Sequence, residues 1–200
     1  MSNWIKDRKK DEYYKKAKRG NFRSRATYKL TQLNKKYKFL NNAKIVIDVC
    51  CAPGGWIQAI QSAIGKNVFI LGIDINRIKS IEGNVKLLQA DLKDSDINSK
   101  IGEILTNKAD VVVADCSMNT SGTSNLDIER QNYLVNCIIE NITIPFLKKG
   151  GHFITKVFQG SNTKNIKNNL KKNFKFIKYV KPKASLSRSR EIYLVCKYFI

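Results

Sequence analysis

No stretch of this chain approaches the run of about 18 apolar residues that a membrane-spanning helix needs. Residues 1–10 also lack the apolar centre of a secretory signal, and Asp7, Asp11 and Glu12 are out of place in an organellar transit peptide. Cysteine is sparse. Cys50, Cys51, Cys116, Cys137 and Cys196 form no C-x-x-C pair, so no metal is expected. Their odd number and apolar surroundings suggest buried, reduced thiols inside a cell, and the adjacency of Cys50 and Cys51 is poor geometry for an easy disulfide. The single histidine, His152, falls in a predicted strand and reads as packed. Two nucleotide fingerprints are missing as well: the G-x-G-x-x-G of dinucleotide sites and the G-x-x-x-x-G-K-[ST] phosphate loop.

What the chain has in excess is positive charge. Its formal net charge is +21, with 42% hydrophobic residues and 200 residues in all, enough for one domain (1–200) with a real core. The charge is uneven. Residues 1–44 carry fifteen Lys and Arg against three acids, residues 161–200 carry eleven against one, and the middle is close to neutral. Lys and Asn are inflated throughout, but uniform drift would spread the charge evenly. A neutral core between a basic N-terminal helical arm (about 1–44) and a basic C-terminal flank suits a polyanion, and nucleic acid is the expected partner.

Along the chain, residues 5–20 form a charged helix stopped by Gly20, and residues 24–38 a second, with Ser24 as its cap and Ala26, Leu30, Leu33 and Tyr37 at helical spacing. Strands and helices then alternate. Strands are expected at 45–49, 68–73, 85–89, 111–114, 152–158, 174–180 and 192–198. Helices are expected after the first strand through Ile64, over 128–146 and near 163–172, with Lys148-Lys149-Gly150-Gly151 as a turn. The runs Ile-Val-Ile, Val-Phe-Ile-Leu-Gly-Ile and Val-Val-Val are continuously apolar, as parallel strands covered on both faces are. The fold class is therefore α/β, a doubly wound sheet with helices on both faces.

Ligands of such sheets sit beyond the carboxyl ends of the strands. The first strand ends in Asp48-Val49-Cys50-Cys51 and runs into Ala52-Pro53-Gly54-Gly55-Trp56, a glycine turn opening a helix. Adjacent glycines let a ligand approach bare backbone, and the helix start offers unpaired N–H groups. Acids recur at strand ends: Asp48, Asp74, Asp91 and Asp115. Asp74 lies twenty residues after Gly54, the distance at which an acid meets the ribose of a bound nucleotide, and Asp91 could reach an adenine amino group. A nucleoside smaller than NAD, such as S-adenosylmethionine, suits this turn. Trp56 could wall the pocket or belong to the core.

Several ordered motifs now resemble one family. They are Val-Ile-Asp-Val-Cys-Cys-Ala-Pro-Gly-Gly-Trp, preceded by Arg23-Ser24-Arg25-Ala26-Thr27-Tyr28-Lys29-Leu30; Val-Val-Ala-Asp115 with Asn119-Thr120-Ser121-Gly122; Thr155-Lys156-Val157-Phe158-Gln159-Gly160; and Lys181-Pro182 with Ser187-Arg188-Ser189-Arg190-Glu191-Ile192-Tyr193. Together they resemble the FtsJ family of ribose 2′-O-methyltransferases, from about residue 10 to the end. The resemblance implies a Rossmann-like methyltransferase sheet of about seven strands with the last antiparallel. It implies S-adenosylmethionine as donor, with Gly54, Gly55, Trp56, Asp74, Asp91 and Asp115 around it, and a catalytic set of Lys29, Asp115, Lys156 and Glu191. The family often has Asp-x-Ala-Pro-Asn where this chain has Asp115-Cys116-Ser117-Met118-Asn119, so the loop after the aspartate departs from the pattern.

The reaction is an in-line transfer from a sulfonium to a ribose oxygen, in which positioning does much of the work. The hydroxyl must lose its proton, and a lysine accepts one only if its pKa falls well below about 10.4. On this reading Lys156 is the base and Lys29 a neighbouring cation that holds ribose or phosphate. Asp115 orients Lys156 and borders the sulfonium, and Glu191 steers Lys29 or the hydroxyl. The resemblance points to a uridine of large-subunit ribosomal RNA as target, and a monomer is expected. The cytoplasm or nucleus is favoured, and a mitochondrial location stays open. The alternatives are a tRNA anticodon-loop methyltransferase and a non-catalytic RNA-binding ribosome-assembly factor.

Overall fold

The computed structural model describes residues 11–117, 124–160, 163–186 and 189–200. Its strands are β1 (Ile45–Val49), β2 (Phe69–Asp74), β3 (Val85–Gln89), β4 (Ala109–Ala114), β5 (Leu147–Phe158), β6 (Phe174–Val180) and β7 (Glu191–Phe199). Its helices are α1 (Glu12–Arg19), α2 (Ala26–Tyr37), α3 (Gly55–Ile64), α4 (Ile97–Ile104), α5 (Ser124–Ile138), α6 (Ile144–Phe146) and α7 (Thr163–Leu170), with a π-helical turn, Ile139–Thr143, joining α5 to α6. The strands form one sheet in the order β3-β2-β1-β4-β5-β7-β6, and β7 runs antiparallel to both of its neighbours.

The continuously apolar strands are central, as expected, because each needs apolar side chains on two faces. On one face Val46, Ile70, Val113, Ile154 and Val195 pack against Leu30 and Leu33 of α2 and Ile57 and Ile60 of α3. On the other, Ile47, Leu71, Val112, Phe153 and Leu194 meet Ile101 of α4, Val135 and Ile138 of α5, and Leu170 of α7. This double cover positions the functional residues. Along β5, Ile154 and Lys156 share the face of α2 and α3, since side chains alternate.

Several expectations change. Ser24 does not cap α2: Arg25 is its N-cap residue and no side chain caps it. Asp11 caps α1 instead, its Oδ1 accepting the Tyr13 and Tyr14 N–H groups at 2.9 and 3.2 Å. Helix α4 lies in a stretch where no helix was expected. Residues 148–151 are not a separate turn but the first part of β5, where the register against β4 shifts. The thiols are not all reduced: Cys50 and Cys116 form a disulfide, while Cys51, Cys137 and Cys196 are free and buried. The two partners are 66 residues apart in sequence, but β1 and β4 are hydrogen-bonded neighbours, which brings their carboxyl ends together. The Ala52–Pro53 peptide is cis. Residues 5–10 of the expected first helix, the segment 118–123 that holds Met118 and Asn119 to Gly122, and Ser187 and Arg188 lie outside the described residues. Among the described residues no helix is long and apolar enough to cross a membrane.

Candidate active site

Strands β1 to β4 end along one rim, and a cavity of about 650 Å³ opens there. That volume is in the range of small-molecule sites. Its lining includes Cys50 and Ala52 after β1, Asp74 at the end of β2, Asp91 after β3, and Asp115 and Ser117 after β4. Three of the six expected donor residues therefore share this cavity, and Gly54, Gly55 and Trp56 are not among its lining. Asp74 braces the rim. Its Oδ2 accepts the Ala52 N–H at 2.9 Å, and its Oδ1 accepts the Asn76 backbone and amide N–H groups at 2.8 and 3.0 Å. Asp91 Oδ1 accepts the Lys93 N–H at 3.0 Å.

The fourth strand-end acid behaves differently. Asp48 lies within β1, fully buried, and neither carboxyl oxygen has a hydrogen-bond partner among the described residues. Burial, and then the nearby Asp115 and Asp74 carboxylates, push its pKa far above the usual carboxylate range.

Trp56 is core: 3% exposed, its ring 5.8 Å from that of Tyr193, its indole N–H donating to the Ala26 carbonyl at 2.9 Å. Gly54 adopts φ +105°, a left-handed conformation that favours glycine.

Beside the cavity sits a charged cluster drawn from four distant stretches. Lys29 comes from α2, Asp115 from the end of β4, Lys156 from β5 and Glu191 from the start of β7. Lys156 Nζ lies 3.3 Å from Asp115 Oδ1 and 3.5 Å from Glu191 Oε1, and donates to the Asp115 carbonyl at 3.1 Å. Lys29 Nζ donates to Glu191 Oε2 at 3.1 Å. Glu191 thus stands between the two ammonium groups.

Both lysines are nearly closed off, their side chains 7% and 3% exposed. Stranding one such charge without a partner costs about 3–5 kcal/mol, so two cations and two anions occur together. Burial raises the Glu191 pKa, but the Lys156 and Lys29 charges and their hydrogen bonds outweigh it and hold the carboxyl below its ordinary value. Strand β5 lies between β4 and β7, so Lys156 is not the outward side chain of an edge strand, and Lys29 is not on a solvated helix face.

Tyr193 completes the cluster. It pairs across the sheet with Lys156, its hydroxyl donates to Asp115 Oδ1 at 2.6 Å, and Lys29 Nζ stands 5.7 Å from its ring centroid. Burial, then the Asp115 carboxylate, push its phenol well above the ordinary value. Reading the residues gave Tyr193 no role, although it closes the Glu-Ile-Tyr run. Period-two alternation from Lys156 on a paired strand is the signal that could have found it. Buried Gln131 of α5 also went unremarked. Its amide donates to the Cys116 and Lys156 carbonyls at 3.2 and 3.3 Å, joining β4 to β5 behind the site.

Asp115 belongs to both places: it lines the cavity and touches Lys156. The arrangement can therefore hold a cationic nucleoside against a carboxylate and present an amine on that carboxylate's other side.

The chain is similar to known methyltransferases. A family model described as FtsJ-like methyltransferase matches residues 22–199. The protein called ribosomal RNA large subunit methyltransferase E from Methanococcus aeolicus is 40% identical over 198 residues, covering 98% of this chain and 73% of that protein. Its namesake from Methanocaldococcus jannaschii is 39% identical over 98% of this chain and 81% of its own length. A Plasmodium falciparum crystal structure described as a ribosomal RNA methyltransferase superposes with a TM-score of 0.79 at 35% identity, covering 89% of this chain and 98% of that one.

Proposed function

The chain belongs to the FtsJ-like methyltransferase family, and on that footing we propose that it moves a methyl group from S-adenosylmethionine to a ribose 2′-hydroxyl of RNA, at a uridine of the large ribosomal subunit. The observation that carries the reading is the position of Asp115, shared by the cavity and the lysine cluster. The cavity's donor set fits the methyl donor. On this reading Asp74 takes its ribose, Asp91 its adenine end and Asp115 its sulfonium, while Gly54, Gly55 and Trp56 shape the turn. When bound, the donor supplies an electrophilic methyl and needs no acid or metal to release it.

The remaining work falls to the chain's own side chains. Lys156 accepts the hydroxyl proton at Nζ once its own ammonium has released a proton to solvent, so that the neutral amine is the base. Asp115, fixed by the Tyr193 hydroxyl, aims that nitrogen, and Glu191 holds it beside Lys29. Lys29 binds the acceptor's ribose or phosphate oxygen. Substrate recognition draws on the basic flanks. A groove of about 550 Å³ lies between the start of the arm and the segment before β7, with Tyr13, Arg25, Lys181 and Lys183 on its walls. Lys181 Nζ, on its wall, donates to the Ser189 carbonyl, two residues before Glu191. Phosphate contacts there give salt-sensitive affinity.

The test is tritiated methyl transfer to intact large subunits, free ribosomal RNA and tRNA, followed by mapping of the labelled nucleotide. Label on a ribose of large-subunit RNA is expected. Label on a base overturns the acceptor, and label on tRNA alone overturns the substrate.

A further inference from the structure

We infer that Arg23 is a positioning residue for the donor cavity, so that the segment tethering the basic arm also braces the methyl-donor site. This rests on the donor reading above. Residues 20–25 connect α1 to α2, and α3 grips them at two points. The Arg23 backbone N–H donates to Gln58 Oε1 at 2.7 Å, and the Gln58 amide donates to the Asn21 carbonyl at 3.3 Å. From there the Arg23 guanidinium reaches behind the cavity. Its Nη1 donates to the carbonyls of Pro53 and Lys79 at 3.2 and 2.7 Å, and its Nη2 to that of Ser80 at 2.6 Å.

Pro53 belongs to the turn after β1, and Lys79 and Ser80 to the connection between β2 and β3. Asp74 ties these same two segments from the cavity side, through Ala52 and Asn76. The rim is therefore held twice, by a carboxylate in front and a guanidinium behind.

The two glycines of the turn serve this clamp. A Cβ on Gly54 would press on Ile81 and the Arg23 side chain, and one on Gly55 would overlap the Ser24 hydroxyl. Neither glycine lines the cavity. Their bare backbone admits Ile81 beside Gly54 together with Arg23 and Ser24 of the arm. A planar fork of fixed donors meets three carbonyls at once, and a lysine, with one flexible ammonium, does not reproduce it.

The experiment uses the full chain and measures S-adenosylhomocysteine binding by calorimetry without RNA, together with RNA binding by filter retention. Arg23→Gln is expected to weaken S-adenosylhomocysteine at least tenfold, with RNA affinity within threefold of wild type. Arg23→Lys is expected to recover only part of the loss. Replacing Lys15, Lys16 and Lys18 by Gln is expected to do the converse, weakening RNA and sparing S-adenosylhomocysteine. Should Arg23→Gln fail to fold, Gln58→Leu, which frees the segment while keeping the guanidinium, is expected to weaken S-adenosylhomocysteine severalfold. Wild-type S-adenosylhomocysteine affinity in Arg23→Gln, or in Gln58→Leu where that variant takes its place, overturns the inference, and so does an equal loss for both ligands. A wild-type chain that binds no S-adenosylhomocysteine overturns the donor reading, and this inference with it.

Discussion

The donor cavity and the lysine cluster meet at Asp115 but are built differently. The cavity is open, and its acids stand at or just beyond the tips of strands that follow one another in the chain. Two of its three acids are anchored outside the cluster: Asp74 on Ala52 and Asn76, Asp91 on Lys93. The cluster is almost closed, and the pair Lys29–Glu191 joins residues 162 apart in sequence. No cluster member has a purely local anchor, since each charge is neutralised by another member. A site of independently anchored groups loses function in steps. A closed set of mutually neutralising charges loses it at once.

The sharpest way to break the comparison is Lys156→Met, which removes the proposed base while keeping its bulk. Single-turnover methyl transfer is expected to fall roughly 10²–10⁴-fold, the usual worth of a positioned base, with S-adenosylhomocysteine affinity within a few-fold of wild type. Transfer at the wild-type rate would remove Lys156 from the chemistry. Asp74→Ala attacks the other half. It deletes the proposed ribose contact and frees the Ala52 and Asn76 N–H groups, so donor affinity is expected to drop about 10- to 100-fold, on the order of 1.4–2.8 kcal/mol. In this variant kcat at saturating donor should stay within a few-fold of wild type. An equal loss in kcat and in donor affinity would erase the distinction between the halves.

The smallest effect concerns pH. The Glu191 pKa in the folded chain lies below the ordinary 4.5, so its pairing adds stability that is complete above that value and is lost as pH falls through the folded value. Urea midpoints measured from pH 6 down to pH 3 should therefore converge for wild type and Glu191→Gln, the wild type losing more. Parallel curves would mean that the lysines do not hold Glu191 ionised.

Much of the rim that carries the cavity was legible in the residues, because its parts are contiguous. A strand, a glycine turn, a helix and an acid at each following strand end can be read by period and spacing. The limits of β1, β3 and β6 came out as observed, since their apolar runs are bounded by turn residues. Helix α4 escaped because eight residues with one buried stripe, Ile97 and Ile101, give too little periodicity. The neighbours of Gly54 and Gly55 were not legible either, because Ile81, Arg23 and Ser24 are brought beside them by tertiary packing. Cys50–Cys116 is a matter of strand order: once β4 lies beside β1, the residues just past both strands must meet.

By itself the chain of residues determined the alternation of strands and helices, the two-sided core and the basic flanks. All of these follow from local periodicity and composition, which need no knowledge of distant partners. Tertiary structure alone decided that β7 inserts between β5 and β6 and that Lys29 turns inward over Tyr193. It also decided that one carboxylate, Glu191, separates two buried amines. The physical reason is that a buried charge is tolerated only opposite its counter-charge, and which side chains face one another is set by the sheet's order and register.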